Sequence, residues 1–199
     1  MGSVEQSDMR HIEQSTARIV SLLPAFLIVV RDVCVCDCMC VLVDSVTAGN
    51  SDQIQACLDG DLLSIVIDLL IANEDEEVSN ECSHALANSL TGGTVEQICR
   101  LVSHSSLALV ALNVSLASSK ESVVRVSVDA LHRVMRAGDE LLAGVVDTDA
   151  LSHELRDLVF AGEHPFAELV AGACRSNLCA LKNSHDEEIA DNARDILDR

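Results

Sequence analysis

The chain has 199 residues, 49% of them hydrophobic, with 32 Asp and Glu against 13 Lys and Arg and a formal charge of −19, so it holds enough apolar material for a substantial core. Three Phe and no Trp or Tyr leave no stacking platform for single-stranded nucleic acid and no aromatic cage for a cation. The acidic balance argues against nucleic acid or an anionic membrane as partner and makes a basic peptide or protein the natural complement.

Two Pro and nine Gly are too few turn residues for a β-architecture, so an all-α fold is predicted. Residues 1–18 lack strong helical periodicity and are expected as a disordered or loosely helical segment ahead of a repeat domain over 19–199. The stretch Met1 to Thr16 carries Glu5, Asp8 and Glu13 where a secretory signal has a basic region, so an intracellular protein is expected. Ile19 to Val30 is apolar but holds Pro24 and stops at Arg31-Asp32, well short of the ~20 residues a membrane span needs. It reads as a core helix, followed by a third helix over Val33 to Val46.

Nine Cys is an odd count without an export signal, which favours free buried thiols, and Cys57, Cys82, Cys99, Cys174 and Cys179 lie singly in apolar helical contexts. Cys34-x-Cys36-x-Cys38-x-Cys40 has the spacing of soft-metal ligands. In a helix, however, Cys34 and Cys38 share one face and Cys36 and Cys40 lie about 200° away, so one helix cannot wrap a tetrahedron. These thiols are read as structural, and no cofactor or metal is expected.

Further along, Thr47-Ala48-Gly49-Asn50-Ser51-Asp52-Gln53-Ile54 is echoed by Thr91-Gly92-Gly93-Thr94-Val95-Glu96-Gln97-Ile98, 44 residues later. That period belongs to HEAT and armadillo arrays. Each echo leads into a short helix (Gln53 to Leu58; Gln97 to Val102) and a very apolar one (Leu62 to Ala72; Leu107 to Ala117). An acid-bearing polar segment and a longer helix follow (Val78 to Leu90; Ser122 to Met135). Three helices per unit is the armadillo pattern. A weaker third copy is expected with Arg136-Ala137-Gly138-Asp139 as its turn and Leu141 to Val146 as its short helix. Leu151 to Phe160, Pro165 to Cys174 and Glu187 to Leu197 read as closing helices, with Pro165 suited to a first helical position. The last of them has one wet face (Asp191, Arg194, Asp195, Asp198), as a solenoid cap requires. The predicted fold is an armadillo-type right-handed α-solenoid of about four three-helix repeats.

The turn motifs resemble the last complete repeats of importin-alpha, over about residues 20 to 199. In that family a third helix carries an acid, a Trp three positions on and an Asn four after it, ahead of a Thr-Gly-Gly-type turn and Gln-Ile. Here Glu81-Cys82-Ser83-His84-Ala85-Leu86-Ala87-Asn88 precedes Thr91-Gly92-Gly93, so Glu81 and Asn88 match and His84 replaces the Trp. One repeat earlier Val41 and Ser45 stand at the Trp and Asn positions; one repeat later Asp129 and Arg133 do. Leu178 to Glu188 is similar to the family's segment before its final helix. The resemblance implies an adaptor for basic nuclear-localisation-type peptides in nucleocytoplasmic import, found in cytoplasm and nucleus. It also implies contacts of the C-terminal repeats with nuclear transport receptors or nucleoporins. Its peptide-binding residues would be Glu81, His84, Asn88, Val41, Ser45, Asp129 and Arg133. The missing Trp ladder predicts degenerate, weak binding, or else a scaffold without cargo.

From the residues themselves, Glu81, His84 and Asn88 sit at i, i+3 and i+7 and share one helix face, which would point into a concave groove. Glu81 would accept a cation, His84 would cover an alkyl stem and Asn88 would bond an extended backbone. The bland alternative is a solvated Glu81–His84 pair with Asn88 bonding locally. The acid run Glu74 to Glu77 reads as a solvated helix N-terminus. No His-Glu-x-x-His, nucleophile elbow or phosphate loop occurs, and an enzyme is not expected.

Overall fold

A computed structural model describes residues 47–72, 75–104, 107–144 and 151–199. Helices run over Ser51–Asp59 (α1), Leu62–Ala72 (α2), Glu76–Gly92 (α3), Val95–His104 (α4), Leu107–Leu116 (α5), Glu121–Leu142 (α6), His153–Ala161 (α7), Ala167–Leu181 (α8) and Glu187–Leu197 (α9), and the described residues contain no strand. Like packs on like: α3 on α6 on α9, α2 on α5 on α8, and α1 on α4. Three three-helix units, α1–α3, α4–α6 and α7–α9, thus stack as an armadillo-type right-handed α-solenoid.

The repeated turn motif is a capping device. Asn50 Oδ1 accepts from the Gln53 backbone N–H at 3.0 Å while Gln53 Oε1 accepts from that of Asn50 at 2.9 Å, satisfying two donors that the start of α1 would otherwise orphan. Thr94 and Gln97 repeat the arrangement at 3.3 and 3.0 Å. Ile54 and Ile98, next in the echo, are both buried. Gln97 does more: its amide donates to Ser51 O at 2.8 Å and Gln55 Oε1 at 3.0 Å, tying its unit to the preceding one. The glycines make the turn possible, because a Cβ on Gly93 would lie 2.5 Å from Ser89 O and one on Gly92 would lie 3.2 Å from Ile54 Cδ1.

Between these ends lies the core. Leu62, Leu63, Val66, Ile67 and Leu70 of α2 are buried, as are Ala108, Leu109, Leu112 and Leu116 of α5. Each such Leu, Ile or Val side chain contributes about 1.5–3 kcal/mol on full burial. Two core hydroxyls pair across units: Ser83 and Ser115 meet at 2.8 Å, and each also bonds a carbonyl one turn back. Asn177 of α8 donates to Asn113 O and Oδ1 of α5, both at 3.0 Å.

The third copy differs from expectation. Arg136 to Asp139 is not a turn; α6 continues through it to Leu142, and the first helix of the third unit is α7 rather than one beginning at Leu141. Gly138 is there for another reason, since a Cβ on it would come 2.3 Å from the His164 ring. His164 Nδ1 accepts from the Phe166 backbone N–H at 3.2 Å, which leaves Nε2–H to donate to Met135 O at 2.9 Å. The closing helices form a full unit, because α8 runs on to Leu181. Pro165 precedes the N-cap Phe166 instead of opening the helix. As expected of a cap, α9 buries Ile189, Ala190, Ala193 and Ile196 and exposes Asp191, Arg194, Asp195 and Asp198. The segment 1–18, the Ile19 to Val30 core helix, the Val33 to Val46 helix, the Cys34–Cys40 cluster and the fourth unit they would build lie outside the described residues.

Cys57, Cys82, Cys99 and Cys174 are buried and Cys179 is exposed on α8, so the five lie mostly inside, as expected. Burial pushes the Cys57 thiol up to about 11 and those of Cys99 and Cys174 to about 12. Two outcomes follow. Under native conditions a thiol reagent should modify Cys179 rapidly and the four buried thiols only on unfolding, as peptide mapping would show. Gly138→Ala should destabilise the protein by about 1–3 kcal/mol through displacement of His164, despite the ~1 kcal/mol helix-propensity gain, and chemical denaturation reads the sign directly.

Candidate functional site

The acid run ahead of α3 is its cap: Asp75 accepts from the Glu77 and Val78 backbone N–H groups at 2.9 and 3.2 Å, and Glu76 and Glu77 fill the first turn. This start phases the helix so that Val78, Cys82, Ala85, Leu86 and Leu90 face the core. Glu81, His84 and Asn88 are left as a half-buried stripe on the third-helix row. Glu81 and His84 make neither the solvated pair of the bland reading nor any other polar contact among the described residues. An unengaged carboxylate beside an unengaged imidazole is therefore presented on the helix surface.

The burial pattern of α3 recurs on α6, with Val123, Val128, Ala130, Leu131 and Met135 in the places of Val78, Ser83, Ala85, Leu86 and Leu90. Asp129 and Arg133 accordingly occupy the positions of His84 and Asn88, with Val126 in that of Glu81. Both polar groups are engaged. Asp129 Oδ1 accepts from Asn192 Nδ2 of α9 at 2.9 Å, and burial pushes its carboxyl above the ordinary aspartate value. Arg133 Nη1 bonds Glu140 Oε1 at 3.0 Å.

A polar lattice continues between α6 and α9. Arg125 pairs with Asp186, with Glu188 at 2.7 Å and with Glu121 at 3.4 Å; His132 Nε2 meets Asp195 Oδ2 at 2.8 Å; and Arg199 pairs with Asp139 and Asp195. Asp186 also caps α9, accepting from the Glu188 and Ile189 backbone N–H groups at 3.0 and 3.2 Å. The Ile189 bond, then the Arg125 guanidinium, holds its carboxyl below the ordinary value. Sequence reasoning missed this lattice. Its signal was the i, i+4, i+7 spacing of Arg125, Asp129 and His132 opposite an acid-rich final helix.

Of the seven expected peptide-binding residues, the third-helix row therefore unites five. Glu81, His84 and Asn88 form one stripe, and Asp129 and Arg133 stand in equivalent positions but engaged elsewhere. Val41 and Ser45 lie outside the described residues. No group of three or more His, Cys, Asp or Glu able to hold a metal occurs among the described residues, and no single helix among them is long and apolar enough to cross a membrane.

No protein-family model and no curated protein matches the chain. Solved structures do. A designed armadillo repeat protein in complex with the peptide (KR)4 is 22% identical with a TM-score of 0.52, over 99% of this chain and 95% of that one. A second designed armadillo repeat protein is 24% identical with a TM-score of 0.53, over 99% and 87%. A computationally designed armadillo repeat protein for modular peptide recognition is 22% identical with a TM-score of 0.52, over 90% and 79%. At these identities the likeness is one of fold.

The α6–α9 lattice has a pH signature. Because the folded protein holds Asp186 below its ordinary value, the stability this group adds is complete above about pH 4 and is lost as pH falls through the folded-state value. Asp186→Asn retains an N-cap side chain but drops the charge facing Arg125. Its melting temperature should therefore fall less steeply than that of the wild type below about pH 4, in a thermal-denaturation series against pH.

Proposed function

We propose that this chain is an armadillo adaptor of the importin-alpha type that binds extended, basic, nuclear-localisation-type peptides along its third-helix row, and binds them weakly. The observation that carries the reading is the Glu81 carboxylate, unengaged among the described residues and in one stripe with His84 and Asn88, on a chain of formal charge −19. Glu81 accepts the Lys or Arg head, His84 covers its alkyl stem, and the Asn88 amide bonds the extended peptide backbone. The turn motifs shared with importin-alpha support the assignment. So does the fold likeness to a designed armadillo protein that holds a peptide of alternating Lys and Arg, since the same architecture there presents a row of helices to an extended cationic chain.

Weakness follows from the missing aromatics. Truncating a Trp anchor in such a groove removes about 2 kcal/mol or more, and every 1.4 kcal/mol is about tenfold in affinity. Asp129 and Arg133, committed to Asn192 and Glu140, add little cation recognition, so binding centres on the first unit. A role in import places the protein in cytoplasm and nucleus, with transport receptors or nucleoporins as partners of its C-terminal repeats. The α6–α9 lattice favours a second reading, an armadillo interaction scaffold without cargo, because it spends the second and third units' third-helix side chains on each other. Neither reading makes the protein an enzyme.

Fluorescence anisotropy with a labelled lysine-rich peptide separates the two at low and physiological salt. Glu81→Gln and Asn88→Ala should each weaken binding, and His84→Trp should tighten it by about tenfold by restoring one anchor. If both weakening variants bind like wild type while added salt abolishes binding, only diffuse charge attraction over a Debye length of ~8 Å was present and the scaffold reading stands.

A further inference from the structure

We infer that the peptide this row selects is one of mixed charge, with a basic residue at Glu81 and an acidic residue about three positions away at Arg136; the inference rests on the peptide reading above. Arg136 stands one turn beyond Arg133 on the same exposed stripe of α6. Arg100, Arg125, Arg133, Arg194 and Arg199 are each paired with a carboxylate. Arg136 of α6, like Arg175 of α8, makes no polar contact among the described residues. On the third-helix row it is thus the cationic counterpart of Glu81: an unengaged charge of opposite sign on the adjacent unit.

The spacing comes from the geometry of a solenoid crossed by an extended chain. Packed helices lie about 8–10 Å apart and an extended peptide advances about 3.3 Å per residue, so moving from α3 to α6 takes about three residues. Side chains of an extended peptide alternate sides, so two residues an odd number apart point to opposite edges of the groove. Glu81 and Arg136 meet that condition. Arg136 is the counterpart on α6 of Thr91, which lies ten residues beyond Glu81 on α3, about 15 Å further along the helix direction. A peptide running between the two edges therefore offers a cation to one and an anion to the other. A uniformly basic peptide would set its second cation against Arg136, and Asp129 offers it little compensation because Asn192 already donates to that carboxylate.

The test holds peptide charge constant so that the field of the whole chain cancels. Labelled peptides carry one constant Lys-Arg segment and a single Glu placed either two or three residues beyond it, or three residues before it because either chain direction is allowed, with neutral residues elsewhere. They are titrated into the full chain by fluorescence anisotropy. One of the spacing-three peptides should bind at least about threefold tighter than the spacing-two isomer, a factor in the range of an exposed ion pair. Arg136→Gln should erase the difference, and Arg136→Glu should reverse it, leaving the spacing-two isomer the tighter ligand. Equal binding of the isomers, with both Arg136 variants indistinguishable from wild type, overturns the mixed-charge inference and leaves basic-peptide binding intact. Failure of the Lys-Arg segment to bind in any isomer overturns both.

Discussion

One carboxamide fixes the frame of this solenoid. Gln97 closes the capping box of its own unit with Thr94 and reaches across to Ser51 and Gln55 of the unit before it. Helix start and unit stacking are set by the same group, and the bare backbone of Gly92 and Gly93 lets the turn approach closely enough for that reach. The register of α3 against α5 of the next unit is marked by Ser83 and Ser115, which meet across the boundary among buried leucines. From the register comes the stripe, since Glu81, His84 and Asn88 are among the α3 side chains that the core leaves half-buried.

The two unit boundaries are built differently. The first is held by the Gln97 staple, by Arg100 with Asp59, and by the packing of α2 on α5 and of α3 on α6. The second carries a charge lattice from α6 to α9 over an apolar base of Ile189, Ala193 and Ile196. Exposed ion pairs contribute about 0–1 kcal/mol each, so the lattice serves alignment more than stability. It also engages third-helix side chains of the second and third units with one another.

How much of this was legible in the sequence depended on whether a signal had one cause or two. The Thr-x-Gly echo had one, the capping box, and the helices it announces appear within a few residues of their predicted ends, save α6, which runs past Met135 to Leu142. The third unit lost the echo because Ser152 caps α7 with Leu155 where the earlier units have Gln, so half the box and the staple are gone from the pattern. Gly138 was ambiguous: a glycine in a polar stretch reads as a turn, and only the ring of His164, brought in from 26 residues away, shows that it marks a close approach inside a helix. For the site, the spacing of Glu81, His84 and Asn88 identified their shared face. That Asp129 is engaged depends on Asn192, 63 residues on, and no local pattern encodes such a partner.

The unengaged state of Glu81 and His84 has a consequence for how such a protein changes over time. Residues that hold the units together are buried or bonded across a boundary, while these two make no polar contact among the described residues. Exchanges there alter what the surface accepts and leave the scaffold as it was, and surface substitutions of this sort cost within about ±0.5 kcal/mol. A ladder of aromatics can be lost from such a face, or another chemistry written onto it, one residue at a time, without the fold passing through an unstable intermediate.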